Sequence, residues 1–497
     1  MVKIVIDPVT RIEGHLKIEV TVENKIVKEA KSSGTLFRGF EIILKNRDPR
    51  DATQITQRIC GVCPIIHSYA SALNLDSAFG IDDKITDNAR ILRNLILGSN
   101  FIQSHILHFY HLAALDYVKP PSVNPFIQKY ECDWRFSEKE NLEFTKHYLN
   151  ALEIRRKAHE MLAIFGGKVP HNCGIIAGGV TLKPTTDKIT NFLFRLNELR
   201  DFIDNIYIKD VIEIGKEYSD YFNLGKGCGN YLSYGVFDLE TKEKELTKRN
   251  RLLSSGITST DLKHKNIDQS KIIEDLKYSW YDDISSHKHP LEEQTIPLLN
   301  KKDAYSWIKS PRYDGEVYEV GPLARILVNY AKGNETVKEI VLNVLSELKL
   351  KPDALFSVLG RHIARALETK IIADNMASWV LQLKPEQPWF TEYEIPLESE
   401  GVGLIDAPRG ALGHWIRIKN KVIENYQCVV PTTWNASPKD DKGQNGPIEQ
   451  AIIGTKIEDE NNPFEILRII RSFDPCLACA VHLIDIRGNI IGCFNAT

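Results

Sequence analysis

The sequence predicts an α+β protein in which a large, buried helical bundle is flanked by short strands. Residues 1–45 are strand-like, and in 16–34 apolar and polar side chains alternate, as they do in strands with one buried face. Several long stretches further along place apolar residues three and four positions apart, which is typical of helices packed into a core. No repeat, linker or low-complexity segment marks a domain boundary, so a single domain is expected.

The composition favours a globular protein. The 497 residues are 43% hydrophobic and 26% charged, as in ordinary soluble domains. A net charge of -3 produces no overall field that favours nucleic acid, so no nucleic-acid partner is expected. No run of about 18 apolar residues predicts a membrane span, and the amino terminus lacks the basic start and apolar block of a secretory signal.

The elements are expected in this order. Strands fill residues 1–45, with turns near Asp7-Pro8 and Glu23-Asn24. Apolar spacing then predicts helices over much of the chain, including a long buried one and two that flank a glycine-rich loop: 51–117, broken at CGVCP, with the long helix at 86–115, then 137–165, 187–218, 322–348 and 352–383. Residues 225–320 are mixed, and the last hundred residues read as loops and short strands with a short helix before DPCLACAVH.

Four of the nine cysteines form two C-x-x-C pairs at opposite ends of the chain, Cys60/Cys63 and Cys476/Cys479. This spacing lets two thiolates bind one metal ion. Spacing alone leaves a structural zinc or a simple iron–sulfur site open. Zinc ribbons and fingers close short loops, however, whereas a site assembled from both ends of a long chain lies in its core. The distribution therefore favours a catalytic metal centre.

Seven segments, taken together, resemble the large subunits of nickel–iron hydrogenases. The motif sequences are most similar to those of the respiratory uptake group. They run in order over nearly the whole chain: RIEGH (11–15), FRGFE (37–41), RICGVCPIIH (58–67), HFYHLAALDY (108–117), APRGALGHW (407–415), VVPTTWN (429–435) and FDPCLACAVH (473–482). The resemblance implies the fold of that subunit. It also implies reversible heterolytic cleavage of dihydrogen to protons and electrons at a nickel–iron centre.

The resemblance assigns the four cysteines. Cys60 and Cys476 would bind nickel terminally, and Cys63 and Cys479 would bridge nickel to iron. Soft thiolates suit such redox-active metals. The iron of this family carries carbon monoxide and cyanide, which no residue here can supply, so metallochaperones and other maturation proteins are implied.

Three further residues would contact the centre or its diatomic ligands. Arg409 would hold its guanidinium over the open face of the metals, where a fixed charge can polarise or orient hydrogen. Thr432 would donate a hydrogen bond to a cyanide, and Pro408 would lie beside these ligands. On the residues alone, an exposed arginine in a Pro-Arg-Gly turn remains an alternative.

Carboxylates would relay protons and form hydrogen bonds around Arg409. Glu13 would be the first proton relay beside Cys476, since a partly buried glutamate with a raised pKa suits proton exchange with a thiolate. Asp116 and Asp474 would form hydrogen bonds around Arg409. Without the resemblance, Glu13 could be an exposed strand residue, and the two aspartates could be helix-end or turn residues.

A magnesium site is expected near the bimetallic centre. Glu41, His482 and the backbone carbonyl of Cys428 would be its protein ligands, with waters in the remaining positions, as magnesium prefers.

The carboxyl-terminal tail is expected to be lost. Residues 1–482 would form the catalytic domain, and a maturation protease would remove 483–497 after His482. The alternation in GNIIGCF leaves an ordinary terminal strand as the alternative.

The remaining expectations concern partners and rival functions. The chain has no further cysteine cluster and no dinucleotide fingerprint, so an iron–sulfur small subunit must carry the electrons away in a heterodimer or a higher oligomer. Export or membrane association beside a signal-bearing small subunit is favoured, with a cytoplasmic location left open. The rivals are a structural zinc or scaffold protein and a metal-free quinone-reductase-like subunit.

Overall fold

The computed structural model describes residues 2–122 and 132–480, with the side chains of residues 479 and 480 outside this description. The chain starts with a three-stranded antiparallel sheet, in which β2 lies between the other two strands. Its strands are β1 (Val2–Ile6), β2 (Leu16–Glu23) and β3 (Ile26–Gly34). Every second residue of β2 is buried from Leu16 onward, so the alternating pattern and the strands predicted before residue 35 are confirmed. The strand character predicted up to residue 45 is wrong at its end, where Phe40–Leu44 is a short helix.

The helices occupy most of the regions that the sequence predicts. They are α1 (Phe40–Leu44), α2 (Ala52–Thr56), α3 (Pro64–Ala78), α4 (Asp87–Leu107), α5 (Glu138–Gly166), α6 (Thr186–Phe202), α7 (Ile208–Glu217), α8 (Pro322–Lys332), α9 (Glu335–Leu348), α10 (Val358–Leu381), α11 (Pro431–Asn435), α12 (Pro447–Ile452), α13 (Phe464–Ser472) and α14 (Leu477–Ala480). Helix α4 is buried along nearly its whole length and packs against α5 and α10.

Three predicted helices differ from the structure. The helix expected over 187–218 is interrupted by a π-helical turn, Ile203–Tyr207, between α6 and α7. The long helix expected over 86–115 leaves α-helical geometry after Leu107 and continues as a π-helical turn, His108–Ala113, and a 3-10 turn. The helix expected over 322–348 is two helices. Gly333 ends α8 at a φ of 92°, and the side chain of Asn334 accepts the Val337 N–H to cap α9.

A second antiparallel sheet lies near the carboxyl end. Its strands are β12 (Glu398–Ala407), β13 (Gly410–Lys419) and β14 (Val422–Val429), longer than the short strands expected there. Helix α3 packs directly on β12, because Gly401 and Gly403 have no side chain to hold it away: a Cβ at either position would overlap backbone atoms of α3. This sheet and α3 together position most of the candidate site.

Short paired strands complete the structure between these parts. They are β4 (Ile175–Ile176), β5 (Gly179–Val180), β6 (Asn230–Ser233), β7 (Val236–Asp238), β8 (Arg251–Leu253), β9 (Gly256–Ser259), β10 (Ile272–Asp275) and β11 (Ser310–Tyr313). One large hydrophobic cluster runs from Val9 to Leu477 and contains Cys60, Cys63 and Cys476. The two ends of the chain therefore meet in the core.

Candidate metal centre

The first cysteine pair lies at the start of α3. Cys60 ends a 3-10 turn in extended geometry, and Cys63 is the N-cap residue of α3, followed by Pro64 in the first turn. The Sγ atom of Cys60 accepts hydrogen bonds from the backbone N–H groups of Val62 (3.2 Å) and Cys63 (3.4 Å). Backbone donors at a helix N-terminus stabilise negative charge, so this turn favours a thiolate at Cys60.

The second pair follows α13 and is held from two sides. Cys476 forms a parallel bridge with Glu13, and the Leu477 N–H donates to the Glu13 carbonyl at 2.8 Å. The Cys476 N–H donates to Oγ1 of Thr432 at 2.9 Å, which comes from α11. Cys479 lies within α14, and its side chain is outside the described atoms.

Three thiol groups converge in the core. Sγ of Cys476 lies 3.3 Å from Sγ of Cys60 and 3.9 Å from Sγ of Cys63, and all three residues are at most 3% exposed. These separations are too long for a disulfide, which needs about 2.05 Å. Thiolates around a tetrahedral metal, with bonds of about 2.3 Å, lie about 3.8 Å apart. The spacing and the burial therefore fit a shared metal ligand set.

Glu13 faces Cys476 directly. Its Oε2 accepts a hydrogen bond from the Cys476 thiol at 3.1 Å and another from the Ala478 N–H at 2.9 Å. Gly14 makes this approach possible, because a Cβ there would lie 2.7 Å from the Ala478 nitrogen. Burial raises the pKa of Glu13, and the Cys60 sulfur adds to the rise, which is the direction a proton carrier requires.

Arg409 is buried at the tip of the hairpin between β12 and β13. Its Nε donates to the Asp474 carbonyl (3.0 Å), one terminal nitrogen to Asp474 Oδ1 (2.9 Å) and the other to Ser104 Oγ (3.2 Å). Burial acts to lower the pKa of Arg409. The Asp474 carboxylate and the three cysteine sulfurs outweigh burial and hold that pKa well above its ordinary value.

Neighbouring residues fix the same hairpin. The Pro408 carbonyl accepts a hydrogen bond from Arg325 at 2.9 Å, and the Ala407 carbonyl accepts another at 2.8 Å. Arg325 is itself paired with the buried Glu368. The hairpin thus has little freedom to move away from the cysteines.

Asp116 does not join Arg409 among the described contacts. Its carboxylate accepts hydrogen bonds from Arg471 at 2.6 Å and from Arg11, and these cations hold the pKa of Asp116 below its usual range despite burial. The 3-10 turn that follows the π-helical turn carries Asp116 toward Arg471 at the end of α13. This corrects the predicted partner, and sequence reasoning missed Arg11, Arg471 and Ser104.

The candidate magnesium ligands lie beside an unpredicted cluster of buried charges. Glu41 Oε1 accepts the Cys428 N–H at 3.0 Å, and Oε2 contacts the Thr295 hydroxyl. Oε2 also lies 3.9 Å from Nζ of the buried Lys309. His482 lies outside the described residues. This cluster could not be predicted from the sequence, since charged side chains are mostly exposed.

Lys309 holds the unpredicted cluster together. Its Nζ lies 3.2 Å from Glu274 Oε2 and also contacts Glu293. Both glutamates are fully buried. Burial raises the pKa of Glu293 well above its usual range, and the Glu274 carboxylate adds to the rise. The Lys309 ammonium group therefore faces three carboxyl groups, those of Glu41, Glu274 and Glu293.

Comparisons with known proteins agree on one family. A family model described as nickel-dependent hydrogenase matches residues 38–124 and 119–482, and one described as HoxL-like matches 3–32. The periplasmic [NiFeSe] hydrogenase large subunit of Desulfomicrobium baculatum is 44% identical over 97% of this chain and 95% of its own. The quinone-reactive Ni/Fe-hydrogenase large chain of Wolinella succinogenes is 37% identical over 98% and 97%. The solved Ni-Fe-Se hydrogenase of D. vulgaris Hildenborough has a TM-score of 0.91 at 44% identity, over 97% of this chain and 100% of its own.

Proposed function

Because this chain belongs to the nickel-dependent hydrogenase family, as a large subunit, we propose that Cys60, Cys63, Cys476 and Cys479 hold its nickel–iron centre. The chain is an oxidoreductase that cleaves dihydrogen reversibly to protons and electrons. The comparisons support this activity and the predicted α+β class, and they give no support to the scaffold or quinone-reductase alternatives.

One observation supports the ligand assignment most strongly: thiols from opposite ends of the chain converge in the core beside a partly buried glutamate and a buried arginine. Soft sulfur donors suit nickel and iron. When bound, the nickel–iron centre supplies the heterolytic splitting of dihydrogen and takes up its electrons. The protein residues then hold charge, move protons and exclude water.

Arg409 would provide a fixed positive charge that balances the thiolates. Its three hydrogen bonds to Asp474 and Ser104 prevent it from swinging away. Thr432 uses its oxygen to accept the Cys476 N–H, so its own hydroxyl proton can be donated to a cyanide on the iron. The Pro408 carbonyl is used by Arg325, which leaves the apolar ring to contact the diatomic ligands.

Glu13 would take protons from Cys476. The thiol already donates to Oε2 at 3.1 Å, within the reach of direct proton transfer. Glu13 is only partly buried in this chain, so its carboxyl group can pass a proton outward after receiving it. A raised pKa makes the protonated form accessible.

The cluster around Lys309 supports a divalent cation. Glu41, Glu274 and Glu293 surround this single ammonium group. Oε1 of Glu274 and Oε2 of Glu293 have no hydrogen-bond partner among the described residues. Buried carboxylates need positive charge or protons nearby. Mg²⁺, which prefers oxygen ligands and keeps several waters, would supply that charge at Glu41, the Cys428 carbonyl and His482.

Partners and location follow from the family. We propose that an iron–sulfur small subunit receives the electrons, that maturation proteins supply carbon monoxide, cyanide and metals, and that a protease removes residues 483–497. We also propose export beside a signal-bearing small subunit, since the D. baculatum relative is named as periplasmic. Across residues 2–122 and 132–480, no helix has the length and apolar character needed to cross a bilayer.

Metal analysis of the purified complex tests the ligand assignment. Cys60→Ser and Cys476→Ser are each expected to lose nickel and the infrared bands of carbon monoxide and cyanide. Cys228→Ser is the matched control, because its sulfur contacts the Asn230 carbonyl instead and a hydroxyl can keep that contact. Normal nickel in either of the first two variants would exclude that cysteine as a ligand.

A further inference from the structure

A second group of potential metal ligands lies at the surface, on elements that carry none of the proposed cysteine ligands. His287 Nε2 lies 3.2 Å from Asp275 Oδ2 and 3.3 Å from Asp441 Oδ2. All three ligand atoms lie within 4.8 Å of one another. We propose that this triad binds a zinc-class divalent ion, with water in the remaining position.

The environment of Asp275 is a second, independent observation that supports a metal ion at this triad. Its side chain is 2% exposed, yet Oδ2 has no hydrogen-bond partner within the part of the chain that the structure describes. The His287 nitrogen is near enough to Oδ2 but does not meet hydrogen-bond geometry with it. A buried carboxylate oxygen without a partner is costly. Here it points to the spot that the imidazole also faces, which is the arrangement of a chelate.

The separations match a tetrahedral ion. Metal–nitrogen and metal–oxygen bonds of about 2.0–2.1 Å place neighbouring tetrahedral ligands about 3.3 Å apart. The two measured separations from His287 are 3.2 and 3.3 Å. One imidazole and two carboxylates favour Zn²⁺ over Mg²⁺ or Ca²⁺, which prefer oxygen alone.

The backbone holds each ligand in place. Asp275 ends β10, and the Lys277 N–H donates to its Oδ1 at 3.0 Å, which leaves Oδ2 for the site. The His287 N–H donates to the Glu274 carbonyl at 2.8 Å, and its φ is 61°. This left-handed conformation is uncommon for residues other than glycine. It turns the ring back across the end of β10.

Asp441 is carried by a separate loop. The preceding Asp440 is paired with the buried Arg312 of β11 at 2.7 Å, and the Gly443 N–H closes a turn onto the Asp440 carbonyl at 3.0 Å. Strand β11 is the partner of β10. An ion held by the triad would therefore tie the 438–444 loop to the β10–β11 ribbon.

This site is distinct from the buried acidic cluster. Glu274 and Asp275 are neighbours on β10 and point to opposite faces, Glu274 toward Lys309 and Asp275 toward His287. Loss of one site would therefore leave the ligand set of the other intact. The proposal stands independently of how the hydrogenase centre is assigned.

A zinc titration of the holoenzyme tests the proposal. Loosely bound metal is first removed with a mild chelator, and zinc binding is then measured by calorimetry. The parent is expected to show saturable zinc binding. His287→Asn and Asp441→Asn should each weaken it on the order of 10-fold or more, since even outer-shell changes cost that much. Asparagine tolerates the left-handed backbone at 287. His264→Asn is the control, because its ring nitrogen contacts the Ser255 carbonyl, and it should bind zinc as the parent does.

Spectra of the bound zinc distinguish the proposed ligands from cysteines. Zinc absorption-edge spectra should show nitrogen and oxygen neighbours without sulfur. A sulfur shell at about 2.3 Å would place the zinc on cysteines and overturn the proposal, as would unchanged affinity in His287→Asn or an absence of saturable binding. If His287→Asn failed to fold, Asp441→Asn would decide the question, since its side chain is 45% exposed and its loss leaves the core untouched.

Discussion

Replacing Glu13 with glutamine tests the proposed proton route. The glutamine side chain has the same size and can still accept the Ala478 N–H, now 2.9 Å from Oε2. It cannot take up the Cys476 proton, which now faces Oε2 across 3.1 Å. General acid–base groups contribute about 10²–10⁴-fold to rates, so hydrogen oxidation should fall by that factor while nickel content stays at the parental level.

Two assays on the same samples isolate the step. Dye reduction under hydrogen requires protons to leave the site, whereas the conversion of para- to ortho-hydrogen requires only reversible cleavage within it. We expect Glu13→Gln to lose the first activity and keep the second. Glu19→Gln, in a surface carboxylate of β2 that pairs with Lys17, is the control. Parental dye reduction in Glu13→Gln would refute the relay.

Replacing Glu13 with aspartate tests whether the position of the carboxylate matters as well as its ability to bind a proton. Glu13→Asp withdraws the carboxylate by one carbon–carbon bond, about 1.5 Å. The distance from Sγ of Cys476 would grow from 3.1 Å to about 4.6 Å, beyond the reach of direct transfer. We therefore expect a loss close to that of Glu13→Gln. Full activity in the aspartate variant would mean that water already bridges the pair.

Further predictions concern other parts of the chain. Arg409→Lys keeps the charge but loses the fork that reaches Asp474 and Ser104, and hydrogen oxidation should fall on the order of 10²–10³-fold with nickel retained in metal analysis. Burial raises the pKa of Glu449 from 4.5 to about 7, so the folded state binds the extra proton and stability falls as pH rises through that window. Glu449→Gln should remove this fall, on the order of 3 kcal/mol at most, seen as a smaller difference between melting temperatures at about pH 5 and about pH 8. Gly403→Ala would overlap the Ala70 carbonyl oxygen and should lower the melting temperature, at a cost of about 1–3 kcal/mol, whereas Gly215→Ala, whose nearest neighbour is at 3.5 Å, should not. Intact-mass analysis of active enzyme should show a chain that ends at His482, and Thr497 at the terminus would contradict the proposed processing.

The local chemistry of the site could be predicted from short motifs. Gly61 and Pro64 around the first cysteine pair indicate a tight turn that leads into a helix, and the structure places α3 there. That the two pairs meet was an expectation from the family resemblance. Periodicity says nothing about contacts between residues more than four hundred positions apart.

The contacts missed from the sequence have a common physical cause. Ser104 is one of several buried polar residues on α4, beside Asn100 and Gln103, so its hydroxyl gives no signal of its particular partner. Lys309 and Glu274 read as ordinary surface charges, and only tertiary packing buries them against each other. The partner of Asp116 was wrong because the turn after α4 carries it to Arg471. Burial and pairing of charged groups are tertiary properties, which a single sequence does not encode in any short pattern.

The charge balance of the centre links its assembly to its turnover. Three thiols, Glu13 and Asp474 lie around Arg409 in the core, and Arg365 also interacts with Asp474. Full ionisation of these acidic groups would still leave more negative than positive charge. Buried charges are costly unless they are paired. Metal cations would supply the missing positive charge, and their binding to cysteine thiols releases protons. Glu13 already accepts a hydrogen bond from the Cys476 thiol, so it would be one of the proton acceptors during assembly and the relay in each catalytic cycle, and its loss would slow turnover without preventing metal insertion.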